Sequence, residues 1–173
     1  MRKNSLSKNK GIVFWITGIS GVGKTTISKE LLLLVNKRYG KTILINGDDF
    51  RKIFQLKGYD RKSRIKYVKQ YSKFCKFISD QNINVIMSVV GLFHNIHSWN
   101  RKNINNYIEI YIKSDLKKIR DHDKRKIYYK KKVVGKDIKP EIPKNPSISI
   151  FNDFIKNQKF YANQILKRID KIK

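Results

Sequence analysis

Gly11-Ile12-Val13-Phe14-Trp15-Ile16-Thr17 runs directly into Gly18-Ile19-Ser20-Gly21-Val22-Gly23-Lys24-Thr25-Thr26, and the fold is decided at that junction. The first run is apolar, β-branched and aromatic and is bounded by Gly11 and Gly18, the pattern of a strand buried on both faces. The stretch from Gly18 to Thr25 satisfies G-x-x-x-x-G-K-[ST], and Thr25 to Lys37 continues with helical spacing. In a strand, loop and helix of this kind, Gly18, Gly21 and Gly23 let the backbone curl until N–H groups and the helix N-terminus converge on phosphate oxygens. Lys24 adds a point charge, and the Thr25 hydroxyl is the expected ligand of Mg²⁺. The expected ATP-binding set therefore runs from Gly18 through Ile19, Ser20, Gly21, Val22, Gly23, Lys24 and Thr25 to Thr26.

Working outward, Lys41 to Asn46, Ile83 to Val90, Tyr107 to Ile112 and Ser147 to Ile150 also read as strands. Asp49 to Gln55, Arg61 to Asp80, Ser98 to Ile104, Ser114 to His122 and Phe151 to Ile172 read as helices. Alternation of the two types predicts an α/β protein of the P-loop NTPase fold, with a parallel sheet of about five strands flanked by helices. The stretch from Asp121 to Pro146 breaks the alternation: it is crowded with Lys and Arg and then marked by Gly135, Pro140, Pro143 and Pro146. It reads as a mobile basic lid. Residues 1–10 read as a basic extension and 11–173 as a single domain.

The 173 residues suffice for one core, and 40% hydrophobic with 31% charged residues lies in the globular range. A net charge of +27 favours polyanions in general, but the lysines and arginines are spread along the chain rather than gathered in a stripe. They read as solvated surface, which argues against nucleic acid as the partner. The single cysteine, Cys75, sits between Phe74 and Phe77 and reads as a buried structural thiol, in keeping with a reducing cytoplasm. Met1 to Lys10 has no apolar h-region, and Leu31 to Val35 is too short to span a bilayer, so no membrane partner is expected.

The second strand leads into Asn46-Gly47-Asp48-Asp49-Phe50-Arg51. Ligands in open parallel sheets gather at the carboxyl ends of strands, so this loop should face the phosphate loop. Asp48 is assigned to orient or deprotonate an acceptor hydroxyl, Arg51 to hold the acceptor's phosphate, and Asp49 to cap the helix that follows. No apolar run ending in Asp follows a later strand, and no Asn-Lys-x-Asp signature occurs. A hydrolytic motor or a switch GTPase would want those groups; a small-molecule kinase does not.

These residues resemble the adenylylsulfate (APS) kinase family over nearly the whole chain. The resemblance rests on Phe14 to Thr26, Asn46 to Arg51, Gly58-Tyr59, Ser63-Arg64, Val90 to Phe93, Arg120-Asp121, Val133 to Asp137 and Pro143-Lys144-Asn145-Pro146. It implies ATP-dependent phosphorylation, with Mg²⁺, of a nucleotide's ribose 3′-hydroxyl (APS to its 3′-phosphate). It also implies a homodimer whose partners are ATP and a small nucleotide acceptor. By the same resemblance Asp48 sits by the 3′-hydroxyl and works with Lys24. Arg51 and Arg64 hold the charged 5′ group, Tyr59 stacks on the acceptor base with Phe93 and Val133 alongside, and Arg120 lies near the adenine of ATP.

Most departures fall on the acceptor half, and one removes a negative charge near the expected Mg²⁺. Asn46 stands where the family has aspartate, Gly91-Leu92 where it has Ser-Pro, and Val133 where it has the aromatic residue that completes a base clamp. A smaller base needs less clamp, so the alternative acceptor is that of a relative of the family, the cytidine diphosphoramidate kinase of capsule assembly.

Overall fold

The computed structural model describes residues 10–123 and 126–172. All but Lys10 of the expected N-terminal extension, and Lys124 and Arg125 of the expected lid, lie outside the described residues. Five strands, β1 (Val13–Thr17), β2 (Thr42–Asn46), β3 (Asn84–Val89), β4 (Tyr107–Lys113) and β5 (Ile148–Phe151), form one sheet in the order β2-β3-β1-β4-β5. All pairings are parallel. The helices are α1 (Lys24–Tyr39), α2 (Gly47–Ile53), α3 (Arg61–Asp80), α4 (His94–Asn103), α5 (Leu116–Asp121) and α6 (Gln158–Ile169), with a short 3₁₀ turn at Ile127–Tyr129.

Both faces of the sheet are covered because side chains alternate along each strand. Phe14 and Ile16 of β1 join Ile86, Ile108 and Ile110 beneath Ile27, Leu31 and Val35 of α1 and Tyr161, Ile165 and Ile169 of α6. Val13 and Trp15 point the other way, with Val85 and Met87, against Val68, Tyr71 and Cys75 of α3 and Ile96 of α4. Cys75 is fully buried and its thiol pKa is pushed far up by desolvation, as a structural thiol requires.

The helix boundaries show what each start depends on. At α3 the Asp60 carboxylate accepts from the Ser63 hydroxyl at 2.6 Å and the Ser63 N–H at 2.9 Å, which lowers its pKa to about 2. α6 begins at Gln158 rather than at Phe151, because Asn157 supplies its cap by accepting from the Phe160 N–H at 2.9 Å. α4 begins at His94, four residues before the expected Ser98; the Glu141 carboxylate accepts its first free N–H at 2.7 Å. α2 begins at Gly47 with Asn46 in the cap position, so Asp49 is not the cap. Asp49 lies inside the first turn and accepts from the Asn46 side-chain amide at 2.9 Å.

β4 carries a buried acid in the middle of its apolar run. Glu109, 1% exposed, lies 2.5 Å from His97 Nδ1 and 2.8 Å from an Arg101 nitrogen. Arg101 also donates to the Asn145 carbonyl at 3.1 Å, and the Glu109 N–H donates to the Ser147 hydroxyl at 3.1 Å. The cluster ties α4 to the segment that enters β5.

Candidate functional site

The sheet order places β1 between β3 and β4, so the connections leaving β1 and β3 diverge at their carboxyl ends and open a crevice there. A cleft of about 810 Å³ occupies this position. Ser20, Gly21, Lys24 and Thr25 of the phosphate loop line one side, Asn46, Asp48 and Arg51 another, and Tyr59, Arg64, Phe93 and Val133 the rest. Residues read separately from the sequence as donor and acceptor groups are thus brought to one space.

In the phosphate loop, Gly23 adopts φ +91° immediately before α1, and a Cβ there would meet the Asn152 amide nitrogen at 2.7 Å. Glycine is required on both counts. Asn152 donates in turn to the Val22 carbonyl at 3.0 Å, bracing the loop from the end of β5. Lys24 is 7% exposed, and its ammonium donates to the Ile19 carbonyl at 2.8 Å across the loop's own arch. The 3₁₀ turn at Ile127–Tyr129 and α5 pack on the outside of this arch. Tyr128 donates to the Ser20 carbonyl at 3.0 Å, and a Cβ on Gly21 would strike Ile119 at 2.9 Å.

Across the cleft, Asp48 projects into solvent from the first turn of α2. Arg51, three residues farther along, donates to the carbonyls of Leu56 at 3.1 Å and Gly58 at 2.7 Å. Its guanidinium carbon lies 4.1 Å from the centre of the Tyr59 ring and 5.3 Å from that of Tyr67. Arg64 donates to the Tyr59 carbonyl at 2.8 Å and the Lys132 carbonyl at 2.9 Å, so the acceptor wall is linked to the segment after α5. Burial, and then the neighbouring Arg51 charge, pull the Arg64 pKa below its ordinary value. Tyr59 is 54% exposed and presents its ring to the cleft, whereas Phe93 and Val133 are buried and form its apolar sides.

Arg120 does not line the cleft. It lies on α5 with its guanidinium 5.9 Å from the Tyr128 ring. The expected lid is not a loose loop in its described part: Tyr128 is buried, and Val133 and Asp137 close a tight turn through the Val133 N–H and the Asp137 carboxylate at 2.9 Å.

Oxygen donors suited to a hard cation sit near the loop. Asn46 and Ser88 are partners in the β2–β3 register, and the Asn46 amide oxygen and the Ser88 hydroxyl are both buried with no hydrogen-bond partner among the described residues. With the Thr25 hydroxyl they suit Mg²⁺ that carries its own waters. No cluster of three or more His, Cys, Asp or Glu occurs among the described residues, so the nucleotide's phosphates would supply the anionic ligands. Ser88 and Tyr71 line the cleft without having been singled out from the sequence, and so do Lys130, Lys131 and Lys132. The three lysines carried a general signal, a basic run; Ser88 and Tyr71 carried none beyond membership of an apolar strand and an apolar helix face.

A family model for adenylylsulphate kinase matches residues 10–151. The cytidine diphosphoramidate kinase of Campylobacter jejuni is 34% identical over 168 residues, covering 94% of this chain and 98% of the relative. The adenylyl-sulfate kinase of Clostridium kluyveri is 30% identical over 158 residues, 87% of this chain and 79% of the relative. Among solved structures, the Mycobacterium tuberculosis APS kinase in complex with AMPPNP and APS superposes with a TM-score of 0.84 at 17% identity, over 93% of this chain and 98% of that one.

Proposed function

This chain belongs to the adenylylsulphate kinase family, and on that premise we propose that it transfers the γ-phosphoryl group of ATP to the ribose 3′-hydroxyl of a nucleotide with a small anionic 5′ extension. The observation that carries the reading is the single cleft in which Lys24 and Thr25 face Asp48, Arg51, Tyr59 and Arg64. Lys24 and the loop amides neutralise charge on the transferred group. Mg²⁺, when bound through Thr25 with Asn46 and Ser88 behind its waters, supplies further neutralisation of the phosphates. Asp48 aligns the acceptor hydroxyl and takes its proton. Arg51 and Arg64 hold the 5′ anion and Tyr59 stacks on the base, while the adenine of ATP would reach Arg120 only beyond the edge of the cleft. The setting is the cytoplasm, for which the buried, unreactive Cys75 is suited.

For the acceptor we favour a pyrimidine nucleotide of the cytidine diphosphoramidate kind over adenylyl sulfate. The end-to-end similarity to the Campylobacter jejuni enzyme supports this, as does an acceptor wall where aliphatic Val133 faces the cleft and Tyr59 is the exposed ring. The test is to incubate the protein with Mg-ATP and each acceptor and to locate the new phosphate by mass spectrometry and NMR. The expected product is the 3′-phosphate of cytidine diphosphoramidate. Transfer to adenylyl sulfate alone overturns the pyrimidine preference, and transfer to neither overturns the kinase assignment of the acceptor site.

A further inference from the structure

Tyr71 lies on α3, at the spacing that puts Val68, Cys75 and Ile78 in the core, and its ring packs edge-on against Phe50 with centroids 5.2 Å apart. Its position is not that of an ordinary core tyrosine. It is 97% buried, since only 3% of its surface is exposed, yet it lines the cleft, and its hydroxyl has no hydrogen-bond partner among the described residues. Some buried polar atoms without partners, Trp15 Nε1 and His97 Nε2 among them, belong to residues away from the cleft, whereas those of Asn46 and Ser88 line it beside the phosphate loop. Beside Tyr71 lies a second unmatched donor: Arg51 bonds the Leu56 and Gly58 carbonyls through its terminal nitrogen, whereas its Nε–H is buried and unpaired.

An unpaired buried hydroxyl costs about 1–3 kcal/mol of desolvation, which phenylalanine would avoid at nearly the same volume. Such a group is retained without loss where a ligand completes it. Burial holds the hydroxyl in its protonated form, with a pKa near 12, and the neighbouring Arg51 charge only partly offsets that, so the group is available as a donor. An O–H and a cationic N–H of two residues that line one cleft and feel each other's charge, both lacking acceptors, match an anionic oxygen. This fits the end of the acceptor assigned to Arg51.

We propose that Tyr71 is a specificity-determining residue, whose hydroxyl and the Arg51 Nε–H together donate to one phosphoryl oxygen of the acceptor's 5′ group. The inference rests on the function proposed above and adds to it a requirement: an acceptor without a 5′ phosphoryl oxygen leaves two buried donors unmatched. Discrimination of this kind is strong, because a site built around a hydrogen bond rejects a ligand that cannot make it.

The test is Tyr71→Phe, which removes one oxygen. Its affinity for cytidine diphosphoramidate and for adenylyl sulfate is measured by calorimetry with a non-hydrolysable ATP analogue present. The affinity for the analogue alone, the split between KM and kcat, and the Tm are measured alongside. The expected result is at least a tenfold loss of affinity and rise in KM for the acceptor that the wild type uses, with unchanged analogue binding, a smaller effect on kcat, and a Tm equal to or above that of the wild type. Arg51→Lys, which removes Nε while keeping the charge, should lose less when combined with Tyr71→Phe than the product of the two single effects.

Unchanged acceptor affinity in Tyr71→Phe overturns the proposal, as does a multiplicative double variant. A fall in Tm together with loss of analogue binding assigns Tyr71 a structural role and also overturns it. If the wild type binds the ATP analogue but neither acceptor, the underlying function is what fails, and this inference falls with it.

Discussion

The hydroxyl of Tyr128 donates to the carbonyl of Ser20 at 3.0 Å, fastening the segment after α5 to the crown of the phosphate loop. Ser20 lies at the tip of an arch whose N–H groups are held ready for phosphate, so the bond limits the loop's freedom before the nucleotide arrives. Tyr128→Phe removes the bond and keeps the ring. A neutral hydrogen bond contributes about 0.5–1.5 kcal/mol, so affinity for an ATP analogue should weaken by about two- to tenfold. Acceptor affinity should change less, and isothermal titration of both ligands checks this.

Lys24→Ala and Asp48→Asn should separate the two halves of the cleft. Loss of the Lys24 charge should lower kcat by about 10²–10³-fold and weaken nucleotide binding as well. Asp48→Asn keeps the shape of the α2 turn and should lower kcat by about 10²–10⁴-fold with ATP binding close to wild type. Stopped-flow turnover with parallel binding measurements decides it; full activity in Asp48→Asn would show that Asp48 does not handle the acceptor's proton.

Glu109 is the hinge of stability rather than of chemistry. Glu109→Ala would leave the buried His97 without its hydrogen-bond partner and the half-exposed Arg101 without its counter-charge. Removing one member of a buried charged cluster costs about 3 kcal/mol. The urea midpoint should fall accordingly, while the KM for ATP of the folded protein should hold, since the cluster lies on α4 and β4 away from Lys24.

Stability should also fall in strong alkali. Tyr39 donates to the Asp170 carboxylate at 2.5 Å, and burial first, then that carboxylate, raise its pKa from about 10 to about 12. The folded value exceeds the unfolded one, so the protonated form is favoured by folding. The contribution is intact below about pH 10 and fades as pH rises toward about 12. Denaturant titrations across that window should show a steeper decline in the wild type than in Tyr39→Phe.

The sheet and the phosphate loop were legible because their signals are local. β1 is a short β-branched and aromatic run, and the loop's glycines, lysine and threonine follow it in fixed spacing. The helix starts were less so. α4 depends on Glu141, which lies 47 residues away, and no periodicity around His94 could reveal it. Asp49 read as a cap because it is the residue type caps favour, but the backbone turns three residues earlier, at Asn46. Asp48 and Arg51 were legible from their place after the carboxyl end of a strand and Tyr59 and Arg64 only through motif resemblance, and all four line one cleft. Tyr71 was not, because an aromatic at core spacing looks like packing; what distinguishes it is a missing partner, which exists only in three dimensions.

The two arginines of the cleft already hold backbone carbonyls: Arg51 those of Leu56 and Gly58, and Arg64 those of Tyr59 and Lys132. An incoming anion that takes their terminal nitrogens exchanges with oxygens of the protein itself, while the Arg51 Nε–H stays open to it. Affinity at this wall is a difference between two sets of bonds, and a weak or singly charged anion gains little by the swap. The wall is thus held in shape by its own carbonyls before any ligand is bound, and those bonds set the strength a displacing anion must exceed.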